Sequence, residues 1–247
     1  MQENKRLRVF AGPNGSGKST LFNEFKKNYN PGYFINADEL EELLNNSGLI
    51  DLEPIGIKAI SKDLKAFSKT KEAKSLLAKA NEEGHSINIE IKENFIVDKA
   101  KDTHSYEASF AAAFVRWLLY KNNISFSFET VMSHHFKITE LKRAQKNGYK
   151  IYLYFVCTDD AEINVNRVAN RVDKGGHAVN ANKIRSRYGK TLKNLYDAIK
   201  VANRVYLFDN SGQTLELIAE IFDGALQLKV DNLPQWFINY VLPHYQS

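Results

Sequence analysis

Hydrophobic residues recur along the chain in short runs that have the length of β-strands. Such runs occupy residues 7–11, 33–36, 124–128, 150–156 and 204–208, and segments with helical periodicity separate most of them. Alternation of strands and helices favours right-handed β-α-β crossovers, which build a parallel sheet with helices on both faces. The pattern therefore predicts an α/β fold with a five-stranded parallel sheet flanked by helices. In such sheets, ligands bind at the carboxyl ends of the strands.

One long segment, from about residue 45 to residue 103, interrupts this alternation. A structureless loop of that length is uncommon in a compact domain. Within the segment, residues 58–80 have a helical pattern, whereas residues 86–91 alternate like a half-exposed strand. We interpret 45–103 as a mainly helical insertion in a single domain that spans residues 1–247. The last part of that domain, residues 228–247, is interpreted as an apolar appendage packed on it.

Composition and charge indicate which classes of molecule the protein can bind. The chain has 247 residues, of which 43% are hydrophobic, so it can bury a large core. Its formal net charge of +5 favours an anionic partner: a nucleic acid, a membrane surface or a phosphorylated small molecule. No nucleic-acid-binding module is recognisable, and the longest apolar stretch, residues 108–120, contains Arg116 and is too short to cross a bilayer. We therefore expect neither a nucleic acid nor a membrane as the partner.

The only cysteine, Cys157, lies in the apolar run 151–157 and cannot form an internal disulfide. A buried thiol in a reducing compartment is the simplest interpretation. The first residues are polar and lack the apolar core of a secretory signal. Together these features predict a cytoplasmic protein.

Residues 12–19, Gly-Pro-Asn-Gly-Ser-Gly-Lys-Ser, match the G-x-x-x-x-G-K-[ST] phosphate-binding loop at every fixed position. Glycines let backbone N–H groups turn inward around phosphates, and the following helix presents its positive end to them. Lys18 is predicted to neutralise charge on the β and γ phosphates, and Ser19 to ligate Mg²⁺. The predicted nucleotide-binding residues are Gly12, Pro13, Asn14, Gly15, Ser16, Gly17, Lys18, Ser19 and Thr20. The predicted fold class is therefore a P-loop NTPase, with ATP and Mg²⁺ as its ligands.

Acidic residues follow two of the predicted strands. A kinase that acts on a hydroxyl needs a carboxylate to orient that hydroxyl and take its proton, and Asp38 is the first candidate for this base. Asp38 followed by Glu41 also fits the N-terminal cap of a helix. Glu129 is interpreted either as a solvated strand end or as a group that holds Mg²⁺ water or substrate hydroxyls. Thr130 adds a hydroxyl beside it.

The segment between the fourth and fifth predicted strands is basic and contains a glycine pair. Arg167 and Arg171 are one helical turn apart and share a face, so both guanidinium groups can be brought over a phosphate. Gly175 and Gly176 supply a hinge, so that the segment, which ends at His177, can close as a lid and exclude water. A solvated basic helix is the ordinary alternative.

Together these motifs resemble the zeta toxin family of P-loop kinases. The resemblance covers most of the chain outside the insertion and the appendage. It rests on the phosphate loop, Asn36-Ala37-Asp38, Phe128-Glu129-Thr130 with Ser133, Gly148-Tyr149, the run from Arg167 to His177, and Asp209-Asn210-Ser211.

The resemblance implies a toxin of a toxin-antitoxin system that uses ATP and Mg²⁺ to phosphorylate a hydroxyl of UDP-N-acetylglucosamine or a related sugar nucleotide. It implies Asp38 as general base, and Lys18 with an arginine of the lid as stabilisers of the phosphoryl group. Glu129 and Thr130 would bind the sugar nucleotide, and His177 belongs to the same predicted substrate site. An antitoxin protein is the implied partner. The lid carries Gly-Gly-His where the best-known toxins have an arginine, so the acceptor can differ.

Two other functional classes compete with a kinase. ABC-type ATPases share the phosphate-loop sequence, but the chain has no Leu-Ser-Gly-Gly-Gln-like segment and no apolar run ending in Asp-Glu. The other alternative is a nucleotide-dependent switch that binds RNA or a protein through the insertion. A phosphorylated product would favour a kinase, whereas salt-dependent RNA binding without a product would favour the switch.

Overall fold

A computed structural model describes residues 5–100, 105–173, 175–176 and 178–246. The strands are β1 (Arg6–Ala11), β2 (Tyr33–Ile35), β3 (Leu49–Asp51), β4 (Ile89–Lys92), β5 (Phe95–Asp98), β6 (Phe126–Thr130), β7 (Lys150–Cys157), β8 (Arg204–Asp209), β9 (Glu216–Phe222) and β10 (Ala225–Leu228). The helices are α1 (Lys18–Asn28), α2 (Ala37–Ser47), α3 (Ser61–Ser68), α4 (Lys71–Glu82), α5 (Ser105–Lys121), α6 (Phe136–Lys146), α7 (Ala161–Val172), α8 (Ala181–Val201) and α9 (Gln235–Tyr240). A short 3₁₀ helix, Leu242–His244, follows α9.

The chain divides into two compact units. The first contains the residues up to Gly32 and those from Ser127 onward, and the second is Tyr33–Phe126. The second unit is wider than the predicted insertion, since it also includes β2, α2 and α5. No helix in the described ranges combines the length and the apolar character needed to span a membrane.

The sheet of the first unit has the strand order β10-β9-β8-β7-β1-β6. Strand β7 pairs in parallel with β1 and with β8. Its neighbour β1 is buried at Leu7, Val9, Phe10 and Ala11, as expected for a strand covered on both faces. Phe10 contacts Phe22 and Phe25 of α1 edge to face, so the aromatic face of α1 packs on the sheet. The prediction of an α/β fold with parallel central strands is confirmed.

An antiparallel hairpin that the sequence interpretation missed extends this sheet at one edge. Strand β9 runs antiparallel to β8, and β10 runs antiparallel to β9. The two-residue turn between β9 and β10 is Asp223-Gly224, and both residues have positive φ angles. Asp-Gly between two apolar runs is a strong hairpin signal. The predicted parallel sheet is therefore extended at this edge by two antiparallel strands.

The second unit combines helices with a small antiparallel sheet of strand order β3-β5-β4. Helix α5 is buried over most of its length, and its one arginine, Arg116, donates to Glu72 of α4 at 3.2 Å. The alternation at residues 86–91 did indicate β4, whereas β3 and β5 were not predicted, and β3 has only three residues. The predicted insertion therefore contains a three-stranded sheet besides its helices.

Candidate functional site

The phosphate loop follows β1 and is shaped by close backbone packing. Gly12 has a φ of 147°, and a methyl group at this position would collide with the carbonyl oxygen of Val156 on β7. Gly17 has a φ of 104°, and a methyl group there would collide with the side-chain amide of Asn210. Only glycine combines these backbone angles with such close approach. The loop conformation therefore requires the glycines of the motif.

Several polar groups of the loop have no partner within the described protein. Gly17 is the N-cap of α1, makes no side-chain cap, and is followed by a first turn without an acidic residue. The hydroxyl of Ser16, which is fully buried, and the side-chain oxygen of Asn14 also lack a hydrogen-bond partner there. Free N–H groups and a partial positive charge at a helix start bind anions. The helix start and the Ser16 hydroxyl, which can donate, therefore fit a bound phosphate group, whereas the Asn14 oxygen is an acceptor and does not add to this fit.

Lys18, Ser19 and Glu129 come together at the start of α1. The Lys18 ammonium is 6% exposed, donates to the carbonyl oxygen of Pro13 at 2.9 Å, and lies 3.6 Å from Oε1 of Glu129. The Ser19 hydroxyl donates to Oε2 of the same carboxylate at 3.0 Å. Glu129 thus lies close enough to Lys18 to neutralise the buried lysine charge. This contact between the loop and the end of β6 favours the interpretation of Glu129 as a group directed into the site.

The oxygen atoms of Ser19 and Glu129 are of the type that Mg²⁺ prefers. Among the residues that the structure describes, no group of three or more His, Cys, Asp and Glu side chains could hold a metal by itself. Magnesium keeps several water ligands and is commonly completed by substrate phosphates. The donor set therefore fits a metal that binds together with a nucleotide, and the assignment of Ser19 as metal ligand stays a prediction.

Glu129 and Thr130 are the last two residues of β6, rather than the residues after it as predicted. The Thr130 carbonyl oxygen accepts from Gly12 N at 3.3 Å, and its hydroxyl oxygen accepts from Met132 N at 3.0 Å. Met132 has a φ of 57° and is fixed by Asn194 of α8, which donates to its carbonyl oxygen. Thr130 thus joins β6 to the phosphate loop. Its predicted role in substrate binding stays a prediction.

Asp38 lies in the first turn of α2, in the second unit. The N-cap of this helix is Asn36, whose side-chain oxygen accepts from Asp38 N at 3.0 Å. The alternative in which Asp38 caps the helix is therefore wrong. The Asp38 side chain is exposed, so it is accessible to a substrate hydroxyl. Its role as a general base stays a prediction.

The predicted lid begins with α7, where the two arginines differ in their surroundings. Arg167 donates through Nη1 to the carbonyl oxygen of Asn210 at 2.7 Å and through Nη2 to that of Gly212 at 3.1 Å. Arg171 is exposed, and its carbonyl oxygen accepts from Gly176 N at 3.0 Å. His177 lies outside the described residues. The structure therefore places Arg167 against the loop after β8, and the catalytic roles of both arginines stay predictions.

Helix α7 is tied to α8 by an ion pair that the sequence interpretation did not identify. Both carboxylate oxygens of Glu162 accept from the Arg185 guanidinium, at 2.6 and 2.9 Å. These hydrogen bonds hold the pKa of Glu162 below its usual value. The pair links the first turn of α7 to the first turns of α8, which follow the lid segment that ends at His177.

The fully buried Cys157 confirms the prediction of a buried thiol. Burial raises the pKa of this thiol, which disfavours the reactive thiolate. The hydroxyl of Tyr188, on α8, donates to the carbonyl oxygen of the next residue, Thr158, at 2.6 Å. Cys157 is therefore part of the core beneath the site.

The overall fold is similar to that of chains in two solved structures. A chain of the AvrRxo1-ORF1:AvrRxo1-ORF2 complex crystallised with ATP superposes with a TM-score of 0.53 at 16% identity, over 92% of this chain and 61% of that chain. A chain from the PezAT chromosomal toxin-antitoxin system of Streptococcus pneumoniae gives a TM-score of 0.50 at 13% identity, over 96% of this chain and 77% of that chain. The chain shares their fold. The α/β fold expected from the zeta toxin resemblance is thereby confirmed.

Sequence similarity to known proteins covers a smaller part of the chain than the structural similarity does. A stretch of 68 residues is 32% identical to an uncharacterized protein of Haemophilus influenzae. The match covers 28% of this chain and 49% of that protein, so the chain spans about half the length of the curated relative it matches. No protein-family model matches the chain.

Proposed function

We propose that the protein is an ATP-dependent kinase that transfers the γ-phosphoryl group to a hydroxyl of a small-molecule acceptor. The observation that carries the proposal is the cluster of Lys18, Ser19 and Glu129 at the start of α1. It provides a buried cation for phosphate charge and two side chains with oxygen ligands for a metal, beside a loop whose Ser16 hydroxyl has no hydrogen-bond partner among the described residues. The ATP in the AvrRxo1 complex supports ATP as the donor.

Bound Mg²⁺-ATP would supply the transferable phosphoryl group, with the metal drawing charge from its oxygens. Lys18 would hold the phosphates, and Ser19 with Glu129 would hold the metal. Asp38 takes the proton of the acceptor hydroxyl while that oxygen bonds to the γ-phosphorus, the bond to the β-phosphate oxygen breaks, and ADP leaves. Arg171 stabilises charge on the transferring group, with Arg167 positioned one turn before it.

The acceptor that we propose is a UDP-N-acetyl sugar or a related sugar nucleotide, bound through Glu129, Thr130 and His177. This part rests on the zeta toxin resemblance, and the net charge of +5 is compatible with a phosphorylated acceptor. We further propose that the protein acts as a toxin with an antitoxin partner. The PezAT toxin-antitoxin system, whose fold the chain shares, supports this proposal.

A panel assay tests the acceptor. The purified protein is incubated with Mg²⁺, ATP and separate sugar nucleotides, nucleosides and short RNAs, and each acceptor is examined by mass spectrometry. We expect one sugar nucleotide to gain the mass of a phosphoryl group, and Lys18→Ala to give no product. A phosphorylated RNA or nucleoside in place of a sugar nucleotide would contradict the proposed acceptor class. ADP release without any modified acceptor would contradict the kinase and favour an ATPase.

A further inference from the structure

The C-terminal segment, residues 233–246, buries a tryptophan against the sheet of the first unit. Trp236, on α9, is 2% exposed, and its ring centroid lies 5.8 Å from that of Phe155 on β7. Phe237 and Val241 are fully buried as well. Three buried apolar side chains fix the segment to the unit. The segment is therefore part of the core, and its polar contacts have defined geometry.

Trp236 donates two hydrogen bonds to carboxylates at the ends of neighbouring strands. Its indole Nε1 donates to Oδ1 of Asp209 at 2.8 Å, and its backbone N donates to Oδ1 of Asp159 at 3.2 Å. Asp209 in turn accepts from the backbone N of Ser211 at 3.0 Å and from its hydroxyl at 2.8 Å. The Ser211 hydroxyl also accepts from Asp159 N at 2.8 Å. These bonds close a ring around the loop that follows β8.

The same loop contacts the phosphate loop directly. The side-chain amide of Asn210 donates to the carbonyl oxygen of Ser16 at 2.8 Å, and its backbone N donates to the Cys157 carbonyl oxygen at 2.8 Å. Arg167 donates to the carbonyl oxygens of Asn210 and Gly212, as described above. Asn210 thus lies between Trp236 and the phosphate loop. The hydrogen bond from Trp236 to Asp209 and the hydrogen bond from Asn210 to Ser16 are therefore connected through the backbone of two adjacent residues, Asp209 and Asn210.

We propose that Trp236 is a positioning residue for the nucleotide site. Through Asp209 it fixes the loop 209–212, and through Asn210 that loop holds the phosphate loop in its binding conformation. Groups that do not touch a ligand improve binding when they lock the residues that do. The effect on nucleotide affinity rests on the proposed ATP binding, whereas the effect on the phosphate loop does not. The C-terminal segment therefore has a role beyond filling the core.

Trp236→Phe tests the positioning, because phenylalanine keeps an aromatic ring in the buried site and removes the indole donor. Hydrogen–deuterium exchange of a peptide that covers residues 12–19 is measured without nucleotide. We expect faster exchange in Trp236→Phe than in the wild type. Trp117→Phe is the matched control, since Trp117 is the other tryptophan and lies on α5 of the second unit. Unchanged exchange in Trp236→Phe would overturn the proposal.

The consequence for binding is measured by calorimetric titration with Mg²⁺-ATP. We expect Trp236→Phe to raise the Kd about fivefold, which corresponds to the loss of one hydrogen bond of about 1 kcal/mol. A purely structural role would lower the urea midpoint and leave the Kd unchanged, and that result would overturn the proposal.

Asp209→Asn keeps the shape of the side chain but weakens its contact with the Trp236 indole. The increase in Kd of the double variant should therefore not exceed the larger of the two single-variant increases by more than twofold. Additive effects would also contradict the proposal. Failure of the wild type to bind ATP would instead refute the proposed function, and exchange would still decide the positioning.

Discussion

The pairing of Lys18 with Glu129 predicts that removing the lysine alone harms the nucleotide-free protein more than removing both charges. The ammonium is 6% exposed, the carboxylate is 14% exposed, and 3.6 Å separates Nζ from Oε1. At an effective dielectric constant of about 20, the Coulomb attraction at this distance is about 4–5 kcal/mol. Desolvation of both groups offsets much of it, so we expect a net coupling of about 1–3 kcal/mol.

The variants of this pair differ in which charged group they leave without its partner. Lys18→Met leaves the Glu129 carboxylate without its cation, with only the Ser19 hydroxyl as a described donor, and should lower the free energy of unfolding by about 1–3 kcal/mol. Glu129→Gln leaves the ammonium with the Pro13 carbonyl oxygen. The double variant Lys18→Met with Glu129→Gln should be more stable than Lys18→Met alone, because no uncompensated charge remains.

The assay is urea unfolding without nucleotide, followed by tryptophan fluorescence in a Trp117→Phe background. In that background the signal comes from Trp236, which belongs to the first unit together with Lys18 and Glu129. The four proteins form a double-mutant cycle that isolates the pair. Strictly additive changes in unfolding free energy, or a double variant less stable than Lys18→Met, would refute the reasoning.

Three further predictions concern single residues of the site. Asp38→Asn should lower kcat by about 10²- to 10⁴-fold and leave the Kd of ATP within about twofold, and wild-type turnover would exclude Asp38 as the base. Arg171→Ala should lower kcat on the order of 100-fold and change ATP affinity less, so an unchanged kcat removes this residue from the mechanism. Because burial raises the pKa of the Cys157 thiol, it should not react with a disulfide reagent at pH 8 in the native protein but should react in urea. Rapid reaction of the folded protein would contradict its placement.

The phosphate loop could be predicted in detail because its information is local. The strand, the glycines and the helix start are contiguous from residue 6 to residue 28, and each residue type follows from the backbone that the loop requires. For Glu129, the sequence predicted only that the residue lies near the end of a strand. Its pairing with Lys18 depends on β6 lying beside β1, and the sequence of a single segment does not determine the order of strands in a sheet.

Other features escaped prediction for similar physical reasons. The bonds from Arg167 to the loop after β8 join residues more than forty positions apart, which periodicity cannot detect. Asn36 and Asp38 are both good helix caps, and the choice depends on the extended backbone of Asn36, with φ −122° and ψ 125°. The Asp223-Gly224 hairpin is different, because Asp-Gly between two apolar runs is a local hairpin signal in the sequence itself.

The central claim is phosphoryl transfer from ATP to a hydroxyl, and ³¹P nuclear magnetic resonance of the reaction mixture tests it most directly. The protein is incubated with Mg²⁺, ATP and the sugar nucleotide from the panel that gains mass, or UDP-N-acetylglucosamine if none does, beside Lys18→Ala. We predict that a new phosphomonoester resonance grows in equal amount to ADP, that little inorganic phosphate forms, and that Lys18→Ala gives neither product. ADP matched by inorganic phosphate, with no phosphomonoester, would contradict the claim and identify an ATPase.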